Sequence, residues 1–207
     1  RIAKLSDLKT IVDLHYKVRS TYSVGIFQQM GKSFLKEYYR TVLNDPYELI
    51  VCAEDETGRI HGFCSATLDV KKQIGRLRSK KWRFVLAAIT SFLRDPSLIK
   101  EIWTRYKSTD EKSDMNYVPT DGVRGEYWTW DSTSNKGLYN AVMYEAHLKI
   151  LYALGVKKYY IEVDDVNEKV VRFHLANKAV PYHKETLPDG RVRTMYIYDL
   201  IKRYKKN

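Results

Sequence analysis

The stretch Ser132–Ala146, "STSNKGLYNAVMYEA", decides the fold of this chain. It follows "GEYWTWD" at residues 125–131, whose aromatic residues are typical of a β-strand. After Gly137, apolar residues recur at helical spacing, which predicts one long helix ending at Gly155. The start of a helix presents unpaired N–H groups and the positive end of the helix dipole. This strand–loop–helix unit is therefore suited to hold an anion such as a diphosphate.

The segments on either side extend the pattern to a complete domain. A strand is predicted at 157–163, "KKYYIEV", followed by a short helix at 167–179 and two strands around a turn at Pro188-Asp189-Gly190. Upstream, a short strand, two helices and a hairpin over 47–70 are predicted. The chain is thus expected to be α/β with one mixed central sheet, in which residues 126–163 form a right-handed parallel crossover.

Composition limits the classes of protein to consider. The chain has 207 residues, 44% of them hydrophobic, and a formal net charge of +11, which favours anionic partners such as nucleic acid, acidic lipid or small phosphorylated molecules. Cys52 and Cys64 lie in separate apolar runs, so two buried free thiols are expected and no metal or disulfide framework is indicated. The sequence shows no membrane-spanning run and no signal peptide, and we expect a cytoplasmic protein.

Residues 71–115 differ from the rest and are interpreted as a basic helical insertion within a single domain, 1–207. Lysine and arginine crowd its beginning, and apolar residues such as Trp82 and Phe84 form a helical face. Four interpretations stay open: a contact with a phosphate of a cofactor or nucleotide sugar, a surface for anionic lipid, a nucleic-acid contact, or a solvated helix face. The solvated face is the default, and nucleic acid is not favoured.

In element order the chain resembles the GNAT superfamily of acyl-CoA-dependent N-acetyltransferases. The residues that carry the resemblance are "SNKGLY" at 134–139 and "LGVKKYYIEVDDVNEKVVRFHLANKA" at 154–179. A looser likeness, "GKSFLKEYYRTVLNDP" at 31–46, is to members encoded among surface-polysaccharide genes. The resemblance implies acetyl transfer from acetyl-CoA to a small-molecule amine, with an amino sugar as one acceptor, and no metal. The alternative is a non-catalytic module of the same fold that binds acyl-CoA or a polyanion.

The resemblance also implies where coenzyme A binds. Its pyrophosphate would lie on the loop and helix start around Gly137, and its pantetheine arm along the free edge of the preceding strand. The loop departs from the family pattern, because Ser134 and Tyr139 replace a basic residue or glutamine and a second glycine. The expected cofactor-binding residues are Thr129, Trp130, Asp131, Asn135, Lys136, Gly137, Leu138, Tyr139, Asn140 and Asn167.

Two residues are expected to be catalytic by the same resemblance. Glu126, on the strand before the loop, would accept the proton of the amine, and His174 occupies the position of a family tyrosine beside the leaving thiolate, where a protonated imidazole would donate. A strand-edge glutamate in an ion pair and a core-edge histidine are the structural alternatives. Strict alternation along the strand places Glu126 on one face with Trp128 and Trp130.

Overall fold

The computed structural model describes residues 1–18, 29–100, 103, 122–187 and 190–205. They form a mixed six-stranded sheet with the order β1-β2-β3-β4-β6-β5. Its strands are β1 (Glu48–Glu54), β2 (Ile60–Thr67), β3 (Arg124–Trp130), β4 (Lys158–Asp164), β5 (Val180–Thr186) and β6 (Val192–Asp199). Among the described strands, only β3 and β4 run parallel, and all other neighbouring strands are antiparallel. The expected mixed α/β sheet is confirmed.

Helices cover both faces of the sheet. After a short 3-10 turn at Leu5–Asp7, the helices are α1 (Leu8–Val18), α2 (Gly31–Leu43), α3 (Val70–Ser79), α4 (Lys81–Arg94), α5 (Leu138–Ala153), α6 (Glu168–Ala176) and α7 (Leu200–Tyr204). One core lies under α5 and α6 and includes Leu148, Tyr159 and Ile161. The other lies under α1 and α2 and includes Ile11, Tyr39 and Phe63. Within the described ranges, no helix is long and apolar enough to cross a membrane.

The parallel pair β3–β4 is held together at one end only. Its backbone register contains one pair, Arg124 with Tyr160, beyond which the described strands diverge. A bulge in β3 accompanies the divergence. Cys64 pairs with Trp128 and Ala66 pairs with Gly125, so two residues of β3, Glu126 and Tyr127, lie opposite the single residue Ser65. The Ser65 hydroxyl accepts a hydrogen bond from the Tyr127 amide at 3.0 Å. The edge of β3 that faces β4 is therefore open from Gly125 onward.

Gly125 permits a close approach between the two strands. A β-carbon at this position would lie 2.4 Å from the Tyr159 hydroxyl oxygen and 2.8 Å from a methyl of Ile161. Both distances are shorter than any normal contact, so no larger residue fits without displacing β4. Gly62 on β2 is similar, because the Trp130 indole lies over it and a β-carbon would approach that ring to 2.5 Å.

The connection between β2 and β3 is unusual for antiparallel neighbours, which a short turn can join. Here residues 68–123 intervene, and they contain α3 and α4. Residues 97–100 begin a further helix, while residues 101–102 and 104–121, which include the end of the predicted insertion, lie outside the described residues. The insertion thus leaves the sheet at the end of β2 and re-enters it at the start of β3, the neighbouring strand.

Cys52 and Cys64 are both buried and free, as expected. They lie on the paired strands β1 and β2 but on opposite faces of the sheet, since Cys52 belongs to the core under α1 and α2 and Cys64 to the core under α5. Burial raises the pKa of the Cys52 thiol to about 12. Neither thiol is therefore suited to act as a nucleophile.

Candidate functional site

The start of α5 is open to solvent, as an anion site requires. A β-carbon on Gly137 would have no neighbour within 4 Å. The adjacent side chains of Leu138 and Tyr139 are 89% and 59% exposed, so Tyr139 does not fill the loop. Among the described residues, the amides of Gly137 and Leu138 have no hydrogen-bond acceptor, whereas the next two amides bond back within the first turn. Two backbone donors are thus available where the sequence predicts a pyrophosphate.

Gly137 has an ordinary right-handed conformation, with φ −55° and ψ −30°. The backbone conformation therefore does not require glycine here. The absence of a side chain instead leaves space for a ligand next to the start of the helix. Lys136 lies beside it and makes an ion pair with Asp55, 3.6 Å between Nζ and Oδ2. Its ammonium group is on the loop but is partly neutralised.

The loop is held by a chain of polar contacts that the sequence did not indicate. Ser134 Oγ accepts a hydrogen bond from the Lys136 amide at 3.2 Å and lies 2.9 Å from His61 Nδ1. The other ring nitrogen, Nε2, lies 2.8 Å from Asp55 Oδ2. His61 is buried, so the imidazole connects the loop rigidly to the hairpin between β1 and β2. Ser134, which replaces the basic or glutamine residue of the family pattern, thus shapes the loop.

Asp131 fixes the other end of the loop. Its Oδ1 accepts hydrogen bonds from the amide and hydroxyl of Thr133 and an ion pair from Lys17 at 2.7 Å, and Arg59 reaches its Oδ2 at 3.2 Å. The hydrogen bond from Lys17 lowers the pKa of Asp131. The carboxylate of Asp131 is therefore occupied by contacts within the protein, and it caps the start of the loop. Thr129 is buried, so it and Asp131 can offer a ligand only their backbone groups.

Trp128 extends from β3 towards α5 and α6. Its Nε1 donates a hydrogen bond to Asn140 Oδ1 at 2.6 Å, and its ring lies 4.8 Å from Tyr144 and 4.5 Å from Phe173, centroid to centroid. Asn140 is one of the expected cofactor-binding residues, and its side-chain oxygen is used to orient the indole. Trp130 stacks near His61 at 6.2 Å and is half-buried.

His174 lies in the same aromatic group and is 3% exposed. Its Nδ1 is 2.7 Å from the Tyr198 hydroxyl, and its ring packs edge-on against Trp128 at 5.6 Å. Burial lowers the pKa of His174 to about 4, so the imidazole is neutral at pH 7. The expected protonated donor to a thiolate does not fit this environment, because charging the ring would leave a cation in an apolar core.

Asn167 stands at the start of α6, as predicted, but its side chain makes no capping hydrogen bond. Its carbonyl accepts from the amides of Val170 and Val171 at 3.0 Å each. At the other end of α6, Lys178 has a left-handed backbone with φ 67°, a conformation that favours glycine. Lys178 therefore holds a backbone conformation that costs some strain in any residue other than glycine.

Glu126 lies on the opposite face of the sheet from Trp128, contrary to the prediction from alternation. The bulge at Glu126 and Tyr127 is the reason, because it adds one residue and reverses the parity of β3. Arg124 donates two hydrogen bonds to Glu126 Oε1, at 3.1 and 3.0 Å. Burial raises the pKa of Glu126, against the opposing charge of Arg124. Glu126 is thus a carboxylate with a raised pKa, and it lies at the point where β3 and β4 diverge.

The ion pairs of this face continue across the gap between β3 and β4. Arg124 approaches Glu162 on β4 at 3.7 Å, and Arg193 on β6 contacts Glu162 at 3.2 Å and Asp164 at 2.7 Å. The side chains of Arg124, Glu162 and Arg193 are 23%, 24% and 23% exposed. These ion pairs therefore form a polar, partly accessible surface at the point where β3 and β4 diverge.

Glu48 on β1 adds a second carboxylate next to Glu126. Gln73 Nε2 donates to Glu48 Oε2 at 3.1 Å, and the Gln73 side chain also hydrogen-bonds Glu126. Burial and the nearby charge of Glu126 raise the pKa of Glu48 to about 8. Since Gln73 belongs to α3, the insertion contributes directly to this part of the site.

Replacing Glu48 with glutamine is expected to stabilise the protein at high pH. The pKa of this carboxyl is near 4.5 in the unfolded chain and near 8 in the folded protein. The folded state therefore favours the protonated carboxyl, and this contribution to the free energy of unfolding is fully present below pH 4.5 and is lost as the pH rises to 8. At pH 9 the variant should exceed the wild type by about 2 kcal/mol in free energy of unfolding, a value reduced for partial solvation. Urea titrations at pH 4 and pH 9 measure it.

The matched control for that measurement is Glu56→Gln, at an exposed glutamate of the β1–β2 turn. It should change stability little at either pH. If Glu48→Gln shows the same small difference at pH 4 and pH 9, Glu48 is not held protonated by the fold.

The open parallel pair, the bulge beside it and the exposed helix start after the first parallel strand together define the GNAT fold. No protein-family profile and no curated protein sequence matches the chain. Solved structures with this fold match it over nearly its whole length.

An N-acetyltransferase from Staphylococcus aureus is 14% identical with a TM-score of 0.59, and the match covers 97% of this chain and 96% of that one. A GNAT-family acetyltransferase from Bacillus cereus is 12% identical with a TM-score of 0.54, covering 96% and 94%. Arabidopsis thaliana NAA60, solved with a bisubstrate analogue, is 14% identical with a TM-score of 0.56, covering 96% and 95%. At these identities the comparisons establish the fold.

Proposed function

We propose that this protein is an N-acyltransferase that transfers an acetyl group from acetyl-CoA directly to a primary amine. The observation that carries the proposal is the open β3 edge, which leads from a half-buried carboxylate with a raised pKa to free helix-start amides. The solved structures of the same fold that are described as acetyltransferases support the same activity.

The residues present suit a coenzyme A thioester. The amides of Gly137 and Leu138 would bind the pyrophosphate with help from Lys136, and the free backbone edge from Gly125 to Trp130 would bind the amides of the pantetheine arm. Asn167, whose side chain makes no capping bond, would bind the same arm. When bound, the thioester supplies an activated acyl group that an amine can attack.

Glu126 would act as the proton acceptor. An amine must be neutral to attack, and most alkylamines are protonated at pH 7, so a base is needed at the site. A carboxylate whose pKa is raised by burial is better matched to this task than an ordinary glutamate. Arg124 fixes its orientation through Oε1. Glu48 and Gln73 would complete the binding surface for the acceptor through neutral hydrogen-bonding groups.

His174 has a different role in this proposal from the one expected. As a neutral, buried side chain it would keep Trp128 in place beside the open edge, together with Phe173. The indole would then form an apolar wall that separates the thioester from water.

The experiment that tests the function is calorimetry with acetyl-CoA followed by a thiol-release assay over a panel of amines. We expect acetyl-CoA to bind with a dissociation constant in the micromolar range, which corresponds to a binding free energy of about −8 kcal/mol. We also expect release of free thiol with at least one amine. Amino sugars belong in the panel because of the sequence likeness at 31–46.

Binding without thiol release across the panel would support a non-catalytic acyl-CoA module. No binding of CoA, together with tight and salt-sensitive binding of a polyanion, would refute the proposed site altogether.

A further inference from the structure

The insertion helix α4 carries apolar residues on two opposite faces. One face, with Phe84, Ala88 and Ser91, packs on α2, where the Ser91 hydroxyl donates to the Met30 carbonyl at 2.8 Å. The other face is a stripe at helical spacing that is exposed throughout. Its members are Trp82 (70% exposed), Leu86 (67%), Ile89 (43%) and Leu93 (79%). A helix that is apolar all round is normally buried, so this stripe, named here the α4 stripe, requires a partner.

The charges around the α4 stripe identify that partner. Residues 70–100 contain nine lysine or arginine residues and one aspartate, and three of these cations, Lys72, Arg76 and Arg83, form ion pairs with Asp69, Asp45 and Glu37 outside the segment. The segment together with these partners carries +5 of the +11 net charge of the whole chain. Exposed basic side chains stand at both ends of α4, Lys81 at its start and Arg94 at its end. Lys81 Nζ also lies 5.8 Å from the centre of the Trp82 ring. Apolar residues between basic ones, with a tryptophan at the border, are typical of a helix that lies in a membrane interface.

Other partners fit less well. A second copy of the chain would bring two surfaces of the same strong positive charge together. Nucleic acid would use the basic side chains but has no surface for exposed leucine and isoleucine.

Ile99 and Trp103, which are 53% and 58% exposed, add to the apolar surface just after α4.

We propose that the α4 stripe and the basic residues around it dock this protein on an anionic lipid bilayer. The apolar side chains enter the headgroup region, while lysine and arginine contact acidic headgroups. This surface is independent of the acyltransferase proposal, since it involves none of the residues assigned to coenzyme A. Because α4 packs on α2, it lies on the sheet face that carries Glu126 and Glu48.

Vesicle sedimentation with the full chain tests the proposal. Phosphatidylcholine vesicles with 30% phosphatidylserine should bind at least about tenfold more tightly than pure phosphatidylcholine, and salt should weaken binding. The double variant Trp82→Ser and Leu86→Ser should weaken binding about tenfold or more, with no change in net charge. Lys80→Glu with Lys81→Glu should do the same through charge.

Two matched controls report specificity. Val180→Ser with Tyr182→Ser removes exposed apolar side chains from β5, and Lys149→Glu with Lys202→Glu makes the same change of charge elsewhere. Neither should lower binding as much as its counterpart. If the apolar variant fails to fold by circular dichroism, Leu93→Ser alone, at a position 79% exposed, serves instead.

Three outcomes would overturn the proposal. Equal binding to charged and neutral vesicles, or none to either, is the first. Vesicle binding that the apolar variants leave unchanged is the second, and it would indicate a polyanion site. A dimer in sedimentation velocity that the apolar variants dissociate is the third, because a second copy would then cover the α4 stripe.

Discussion

Replacing Gly137 with aspartate is expected to raise the dissociation constant for coenzyme A by at least about 100-fold, while the unliganded protein becomes no less stable. The space around Gly137 is empty, so the new side chain meets no clash. A carboxylate at the start of a helix favours the unliganded fold through the helix dipole and capping. The same charge lies where the pyrophosphate is proposed to bind, and like charges there repel. Stability and affinity should therefore change in opposite directions.

Two variants separate the causes. Gly137→Asn has nearly the shape of the aspartate without its charge, and it should weaken binding much less than Gly137→Asp. Gly137→Ala fits the observed φ of −55° and should leave affinity close to the wild-type value. Isothermal calorimetry gives the affinities and thermal unfolding without ligand gives the stabilities. An unchanged affinity in Gly137→Asp would remove the helix start from the cofactor site.

Glu126→Gln should lower the rate of acetyl transfer by about 100-fold or more, since general bases contribute about 10²–10⁴-fold. Glutamine keeps the shape and can still accept from Arg124, so binding of coenzyme A should not change. The loss should shrink as pH rises, because a larger fraction of the free amine is then neutral before it binds. Thiol release measured from pH 6 to pH 10, with an amine identified from the panel, follows both effects.

Glu162→Gln is the matched control, as it changes a carboxylate that also contacts Arg124 but lies on β4. It should lower the rate much less than Glu126→Gln. Equal losses in the two variants would mean that Glu126 acts only through the ion-pair network, and a rate unaffected by Glu126→Gln would exclude it as the base.

The sequence predicted the parts of the fold that depend on local pattern. The helix after Gly137, the strand predicted at 157–163 and the hairpin predicted over 47–70 follow from periodicity and turn residues. The structure confirms them, with the strand at Lys158–Asp164. The place of the open parallel pair was inferred from the resemblance. Pro188 and Asp189 of the predicted turn lie outside the described residues.

The errors arose where one extra residue or a distant contact decides the geometry. Alternation placed Glu126 with Trp128, and the bulge separated them, because a bulge has no reliable sequence signal. The histidine at 174 was expected to be charged, but its burial depends on Tyr198 and Trp128, which are distant in sequence. Glu48, Gln73 and His61 were not identified, because their roles depend on which strands become neighbours.

The single backbone pair between Arg124 and Tyr160 divides the sheet into two three-stranded ladders. The first, β1–β3, is formed by the earlier part of the chain and the second, β4–β6, by the later part, and side chains under α5 join them. Because one backbone pair joins the described ladders, we expect their amides to exchange as two units that are linked only through this core. A molecule that spans the gap would couple the two units, so amide hydrogen exchange should slow in both at once when it is added.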